Sequence, residues 1–333
     1  MPTIADVAAR AGVGVGTVSR VLNDSPQVRP ETRRMVREAI AQLGYRPART
    51  ATEPRSSMGG LVGVLVPHFD EPSSYQRLRG IVKALQPHGL EIVLYNVDAP
   101  DRARSRIAEL PRHRLDGLLV ISLPLDDGDG ERLASAPFPT VLIDTGHRSL
   151  PSVQIDDVAG GRLATEHLLS LGHERIAFIG EPARNPFGFT SGLHREQGYE
   201  QAMHDAGLDA PLELRRHGPH LRSAMNRLTH ELLTIDDPPT AIVATSDVQA
   251  LGILEAAGSS GWRVPQHLSL IGYDDIDLAV YSRLTTVRQQ LEDSGQRGAE
   301  MLTSAIINGS TITPTVELLS LELVVRSTTA PPR

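Results

Sequence analysis

TIADVAARAGVGVGTVSRVLN, residues 3–23, decides how the front of this chain folds. Ile4, Val7, Ala8 and Ala11 recur at helical spacing, and Thr3 stands where an N-cap hydroxyl accepts from an orphan backbone N–H. Gly12 supplies the freedom that a sharp turn between two helices requires. In the second helix Val18, Val21 and Leu22 form the matching apolar set. That set turns Val15, Gly16, Thr17, Ser19 and Arg20 outward, as in a helix that enters a DNA groove. A third helix is expected from Pro30 to Leu43, with Met35, Val36, Ala39, Ile40 and Leu43 inward and Gly44 as its stop. Three such helices close a small all-α helix-turn-helix unit.

The remaining length allows more than that unit. With 333 residues there is room for two or three domains and a substantial core. The net charge of −7 divides unevenly: residues 1–55 hold nine Arg against five acids, or +4, which leaves −11 for residues 56–333. Only the front has the sign expected of a polyanion's partner. All basic residues but Lys83 are Arg, a bias of composition rather than a DNA signal. The absence of Cys excludes disulfides, zinc-finger sites and thiol chemistry. No apolar run approaches the roughly 18 residues of a membrane span, and no signal-like segment precedes the first helix, so a cytoplasmic protein is expected.

Residues 45–60 turn polar and irregular, with prolines at 47 and 54, and read as a linker. Beyond it, strand-like runs at Leu61–Pro67, Ile92–Asn96, Gly117–Ser122, Thr140–Asp144, Ile176–Gly180, Ala241–Thr245 and Leu268–Tyr273 alternate with helical patterns. Such alternation predicts parallel sheets covered on both faces. About four strands precede residue 150 and at least three follow, so two doubly wound α/β subdomains are expected, with a ligand cleft at the carboxyl ends of their strands. The expected division is 1–46 for the helix-turn-helix domain, 47–60 for the linker and 61–333 for the two-lobed α/β domain. Within the last, subdomain 1 takes 61–156 plus 287–315 and subdomain 2 takes 157–284 plus 316–330.

Residues 3–23, followed by VRPETRRMVREAIAQLGYRP (28–47), closely resemble the head-piece of the LacI/GalR family of bacterial transcription regulators. The likeness continues through 156–180, 245–279 and 284–302, which are similar to the family's periplasmic-binding-protein-like effector domain. The resemblance implies a dimeric repressor on a pseudo-palindromic operator, controlled by a small molecule of sugar type. By the same resemblance Val15, Gly16 and Arg20 contact bases, while Thr3, Thr17, Ser19, Asn23 and Tyr45 meet phosphates. Arg20 has the fork that pairs with guanine O6 and N7, and glycine at 16 removes a side-chain reader, which shifts weight to Arg20 and DNA shape. The family's hinge helix carries a minor-groove leucine where this chain has Pro54. Proline breaks such a helix, so either its ring acts as the wedge or there is none, with Arg49 and Arg55 as groove contacts or solvated charges. Unchanged affinity and bending in Pro54→Leu would exclude the wedge.

For the effector, the resemblance points to Asp274, Arg195, Ser246 and Asp144, with Ser122 and Asp70 as further candidates and His220 at a position where relatives stack an aromatic. Asp247 is expected to cap the following helix, and Asp275 with Asp277 to be solvated or to cap a turn rather than to bind metal. No cofactor is implied. Enzyme readings find no support: the glycines at 12, 14 and 16 follow a helix and miss the dinucleotide spacing, and no phosphate-loop, zinc-protease or nucleophile-elbow motif occurs. Two alternatives remain open here, a DNA-binding regulator without a sugar effector and a solute-binding protein of the periplasmic type.

Overall fold

A computed structural model describes residues 3–22, 25, 27–43, 60–182 and 184–333, in two units that divide after Met58. The first unit holds α1 (Ile4–Ala11), α2 (Val15–Leu22) and α3 (Pro30–Leu43). Thr3 and Asp6 form a reciprocal capping box at the start of α1. At its other end Gly12 takes the left-handed conformation, φ 64°, and its N–H closes on the Ala8 and Ala9 carbonyls. Nothing lies within 4 Å of where a Cβ would sit, so backbone conformation and not space reserves this position for glycine. Val7, Ala8, Ala11, Val18, Val21, Val36 and Ala39 are buried together. Met35, expected inward, is 41% exposed: it stands one residue off the Val36–Ala39–Leu43 stripe and so is rotated out of the contact.

The second unit comprises two lobes. In the first run β1 (Leu61–Pro67), α4 (Pro72–Leu85), β2 (Glu91–Val97), α5 (Pro100–Glu109), β3 (Gly117–Ile121), α6 (Asp127–Ala134), β4 (Thr140–Ile143) and β5 (Ser152–Gln154). The second contains α7 (Asp157–Ser170), β6 (Ile176–Gly180), α8 (Ser191–Asp205), β7 (Arg215–His217), α9 (Arg222–Leu233), β8 (Ala241–Ala244), α10 (Asp247–Ser259), β9 (Ser269–Asp274), α11 (Asp277–Tyr281) and β10 (Thr285–Arg288). The chain then returns to the first lobe through α12 (Leu291–Asn308) and β11 (Val316–Leu318), and ends in the second with β12 (Glu322–Val324).

Both sheets have six strands, in the orders β11-β5-β4-β3-β1-β2 and β12-β10-β9-β8-β6-β7. All pairs are parallel except β10 with β12. The central strands β3, β4, β6 and β8 are buried along their whole length, as expected of parallel strands covered by helices on both faces. The sequence division errs in two places. Residues 287 and 288 belong to β10 of the second sheet, and residues 316–318 form β11 of the first. The chain therefore crosses between lobes at 155–156, 289–290 and 319–321. Composition could not reveal this, because each crossing is only two or three residues long and β10, β11 and β12 are short strands whose sheet is set by the partner each meets.

One device recurs in both lobes. A Cβ on Gly80 of α4 would strike the Glu292 carbonyl of α12, and one on Gly295 of α12 would strike the carbonyl of Arg77. In the second lobe Gly161 of α7 is equally close to the carbonyl of Arg195, and Gly198 of α8 to that of Val158. Each lobe thus brings two helices to backbone contact through a pair of glycines and fixes one arginine at the crossing.

Candidate DNA-reading helix and interlobe cleft

In the first unit α2 presents Val15, 47% exposed, together with exposed Gly16 and Arg20, while Thr17 and Ser19 are half-buried. No acid occupies the first turn of α2, so its positive end is not offset. Arg10 is already tied to Gln42 of α3 at 2.8 and 3.0 Å. The Thr3 hydroxyl is likewise engaged: it donates to Asp6 Oδ2 at 2.7 Å and accepts from the Asp6 N–H at 3.3 Å, so a phosphate would compete with the cap for it. Asn23, Tyr45, Arg49, Pro54 and Arg55 lie outside the described residues.

In the second unit a cavity of about 1190 Å³ opens at the carboxyl ends of β1, β3, β4, β6, β8 and β9, where both lobes contribute walls. Ser122, Asp144, Arg195, His220, Ser246 and Asp274 all line it. Asp70 does not; it stands in the exposed turn after β1, with His68 and Glu71 on the wall instead. His68, Ser122, Asp144 and Asp274 hold φ of 50°, 51°, 62° and 115°. Such conformations cost about 1–3 kcal/mol each for non-glycine residues and concentrate where a fold positions side chains for a ligand.

The cleft side chains form a polar relay. Ser122 donates to Asp144 Oδ2 at 2.6 Å, and Asp144 Oδ1 pairs with Arg77 Nη2 at 2.8 Å. The same Nη2 donates to Gln289 Oε1 at 2.8 Å, and Gln289 Nε2 donates to Asp274 Oδ1. Asp274 stands 3.8 Å from Arg195 Nη1, and Arg195 Nε donates to Asp157 Oδ1 at 2.8 Å. Arg195 also donates to the Thr245 carbonyl at 2.6 Å and stacks its guanidinium 3.7 Å from the Tyr273 ring centroid. Burial pushes the Asp274 carboxyl up to about 6, against the opposing pull of Arg195 and Gln289. Burial raises Asp157 as well, although Arg195 beside it opposes the shift. Arg77 Nε and the Tyr273 hydroxyl are buried without hydrogen-bond partners.

His220 joins a different pair. Its Nε2 is 3.3 Å from Glu181 Oε1 and 3.4 Å from Ser246 Oγ. Burial alone would lower its pKa, but the hydrogen bond and charge of Glu181, with Glu71 and Asp274 behind, raise it above the ordinary value. Glu181, which burial would raise, is held below the usual range by the same partner. His220 and Glu181 thus each favour the charged form of the other.

Residues 3–48 match the family described as bacterial regulatory proteins, lacI family, and residues 165–329 match the periplasmic binding protein-like domain. The HTH-type transcriptional regulator CelR of Thermobifida fusca is 34% identical over 336 residues, covering 98% of this chain and 97% of its own length. This chain belongs to the LacI family. Among solved structures, a transcriptional regulator CelR–cellobiose complex matches with TM-score 0.71 and 33% identity, over 98% of this chain and 100% of that one. The lac repressor dimer bound to operator and an anti-inducer matches with TM-score 0.72 and 29% identity, over 99% of each. The chain is thus a LacI-family DNA-binding transcriptional regulator, with the head-piece and two-sheet effector body expected of it.

Within this LacI-family frame Asp247 and Asp275 have other work than their sequence positions suggested, whereas Asp277 is solvent-exposed as expected. Ser246, not Asp247, is the N-cap of α10, with its hydroxyl accepting from the Gln249 N–H at 3.2 Å. Asp247 is fully buried and accepts from the Ile276 N–H and the Thr286 hydroxyl, at 2.9 and 2.6 Å. Asp275 is neither solvated nor a turn cap: it is clamped by Arg288 and Arg326. Asp277 pairs with Gln76 and Arg79 of the first lobe, linking the two lobes.

Arg77, Asp157, Glu181 and Gln289 were missed by sequence reasoning. Arg77 sits in an otherwise ordinary amphipathic helix, and Gln289 in a polar pair between strand and helix. Only the second carries a faint signal, two adjacent glutamines where the chain leaves β10.

Proposed function

We propose that this LacI-family regulator is a repressor that binds a pseudo-palindromic operator as a homodimer, under the control of a sugar or sugar derivative held in the cleft. The observation that carries the reading is a cleft wall of paired carboxylates and guanidiniums, joined to both lobes through Gln289, in a chain that also presents the exposed face of α2. Carboxylate and guanidinium groups on fixed elements engage vicinal hydroxyls two at a time. A relative's structure is that of a cellobiose complex, and another neighbour is a dimer on its operator, which supports the same assignment here. One head-piece contacts too few base pairs for a genomic address, and a second copy supplies the other half-site.

The sugar must favour one arrangement of the lobes and the operator another, since a ligand shifts an equilibrium only by its differential affinity. The protein acts as a binder rather than a catalyst, and works in the cytoplasm beside its DNA. Selection of fragments from random duplexes with the full chain, with and without a sugar panel, tests the reading. The expected result is an inverted repeat whose affinity changes with one class of sugar. Equal binding to scrambled competitor would overturn the regulator reading. Specific binding indifferent to every sugar would overturn the sugar effector alone.

A further inference from the structure

The cavity has two chemically different walls. One is the relay of Asp144, Arg77, Gln289, Asp274 and Arg195. The other is aromatic and comes from the loop after β6. Phe187 and Phe189 stack there with centroids 5.2 Å apart and planes 12° from parallel, and His68 of the first lobe meets the Phe187 edge at 5.3 Å. The loop is preset: Asn185 accepts from the Phe189 N–H and donates to its carbonyl, both at 2.8 Å, and Gly188 turns at φ 73° with its N–H on the Asn185 carbonyl. Phe187 also packs against the apolar cluster of the first lobe, although its loop belongs to the second. These rings therefore form a held platform spanning the lobes.

Size and charge narrow what fits. About 1190 Å³ exceeds the roughly 300–1,000 Å³ of ordinary small-molecule pockets, and a single hexose of about a dozen heavy atoms would leave most of it empty. The two buried arginines are already neutralised, Arg77 by Asp144 and Arg195 by Asp157 with Asp274 near, and His220 is matched by Glu181, while Glu71 and Asp156 add negative charge to the wall. A phosphate or carboxylate on the ligand would find no uncompensated buried cation among the described residues. Hydroxyls fare better, because each ionised carboxylate keeps lone pairs free to accept.

We infer that the cleft takes an uncharged saccharide of at least two rings, one ring hydrogen-bonded by the relay and the next stacked on the Phe187–Phe189 platform. The apolar C–H face of a pyranose is complementary to an aromatic face, and a platform fixed in advance loses little freedom on binding. The inference rests on the reading of the cleft as a sugar site, and its test separates the two.

Binding of glucose, cellobiose, maltose and glucose 6-phosphate to the full chain is measured by calorimetry and thermal shift, for the natural sequence, Phe189→Ala and Phe189→Tyr. A disaccharide is expected to bind at least about tenfold tighter than glucose, with no shift from the phosphate ester. In Phe189→Ala that preference should collapse to about twofold, and in Phe189→Tyr it should return, because tyrosine restores the face. Equal affinity for glucose and disaccharides, or tightest binding of glucose 6-phosphate, would overturn the two-ring uncharged class while leaving a sugar site. An equal loss for glucose and disaccharide in Phe189→Ala would overturn the stacking role, since a ring that merely orders the loop leaves the ratio unmoved. Silence from every probe would overturn the sugar reading itself.

Discussion

Arg195 shows what a single side chain contributes here. It faces Asp157 and Asp274, stacks on Tyr273 and closes the Thr245 carbonyl, all while 6% exposed. Removing one member of a buried ion pair leaves the partners' charge uncompensated, so Arg195→Met should cost about 3–5 kcal/mol in urea unfolding. A loss under 1 kcal/mol would mean that the pair is solvated. His220 and Glu181 offer a check through pH. A histidine whose pKa is raised on folding contributes fully below its ordinary 6.5 and loses that contribution as pH rises through the folded value. A glutamate held low contributes fully above its ordinary 4.5 and loses it as pH falls through the folded value. The stability gap between the natural protein and His220→Gln should therefore be widest between pH 4.5 and 6.5 and narrow on either side, by thermal unfolding across buffers. A pH-independent gap would show that the two groups do not meet as ions. The sequence placed Arg195 and His220 by resemblance, but it could not say what they touch.

At the scale of elements, the glycine crossings decide where the cleft arginines stand. Gly295 lets α12 approach the backbone of α4 at Arg77, and Gly161 lets α7 approach α8 at Arg195. An added methyl at either has no room, and overpacking of this kind costs about 1–3 kcal/mol. Gly295→Ala should lower the melting temperature and also weaken sugar binding by shifting Arg77, whereas an alanine at exposed Gly258, with nothing near its Cβ, should do neither. Binding untouched by a destabilising Gly295→Ala would separate the crossing from the site. Strands such as β1, β3 and β6 were legible because buried parallel strands read as unbroken apolar runs. The edge strand β7 and the five-residue α11 were not. Arg-Arg-His shows no strand pattern, and five residues are too few to establish a helical period.

For the whole molecule, the proposed function couples two binding events, and coupling is reciprocal. If a sugar changes operator affinity by some factor, operator must change sugar affinity by the same factor. Measuring both on the full chain checks this, and unequal factors would mean that more than one assembly state is being titrated. The charge division, +4 in residues 1–55 against −11 beyond, makes the head-piece the salt-sensitive part. Arg20→Ala should reduce discrimination between operator and single-base variants by about 1–3 kcal/mol while leaving sugar affinity near that of the natural protein. An unaltered preference would remove Arg20 from base reading and shift the weight to DNA shape.

The sequence by itself determined the helix-turn-helix unit and the doubly wound class of the body, because both follow from local periodicity and turn residues: a glycine in a left-handed cap, apolar stripes at helical spacing, apolar runs between helices. Tertiary structure alone decided the cleft. Arg77 and Gln289 lie 212 residues apart and meet only because the chain crosses between lobes at three places, one of them at Gln289. Likewise, which of Asp144, Asp247, Asp274, Asp275 and Asp277 faces the cavity and which is consumed by structure depends on the neighbours each acquires. Charge pairing and desolvation act through space, and no pattern along the chain encodes those distances.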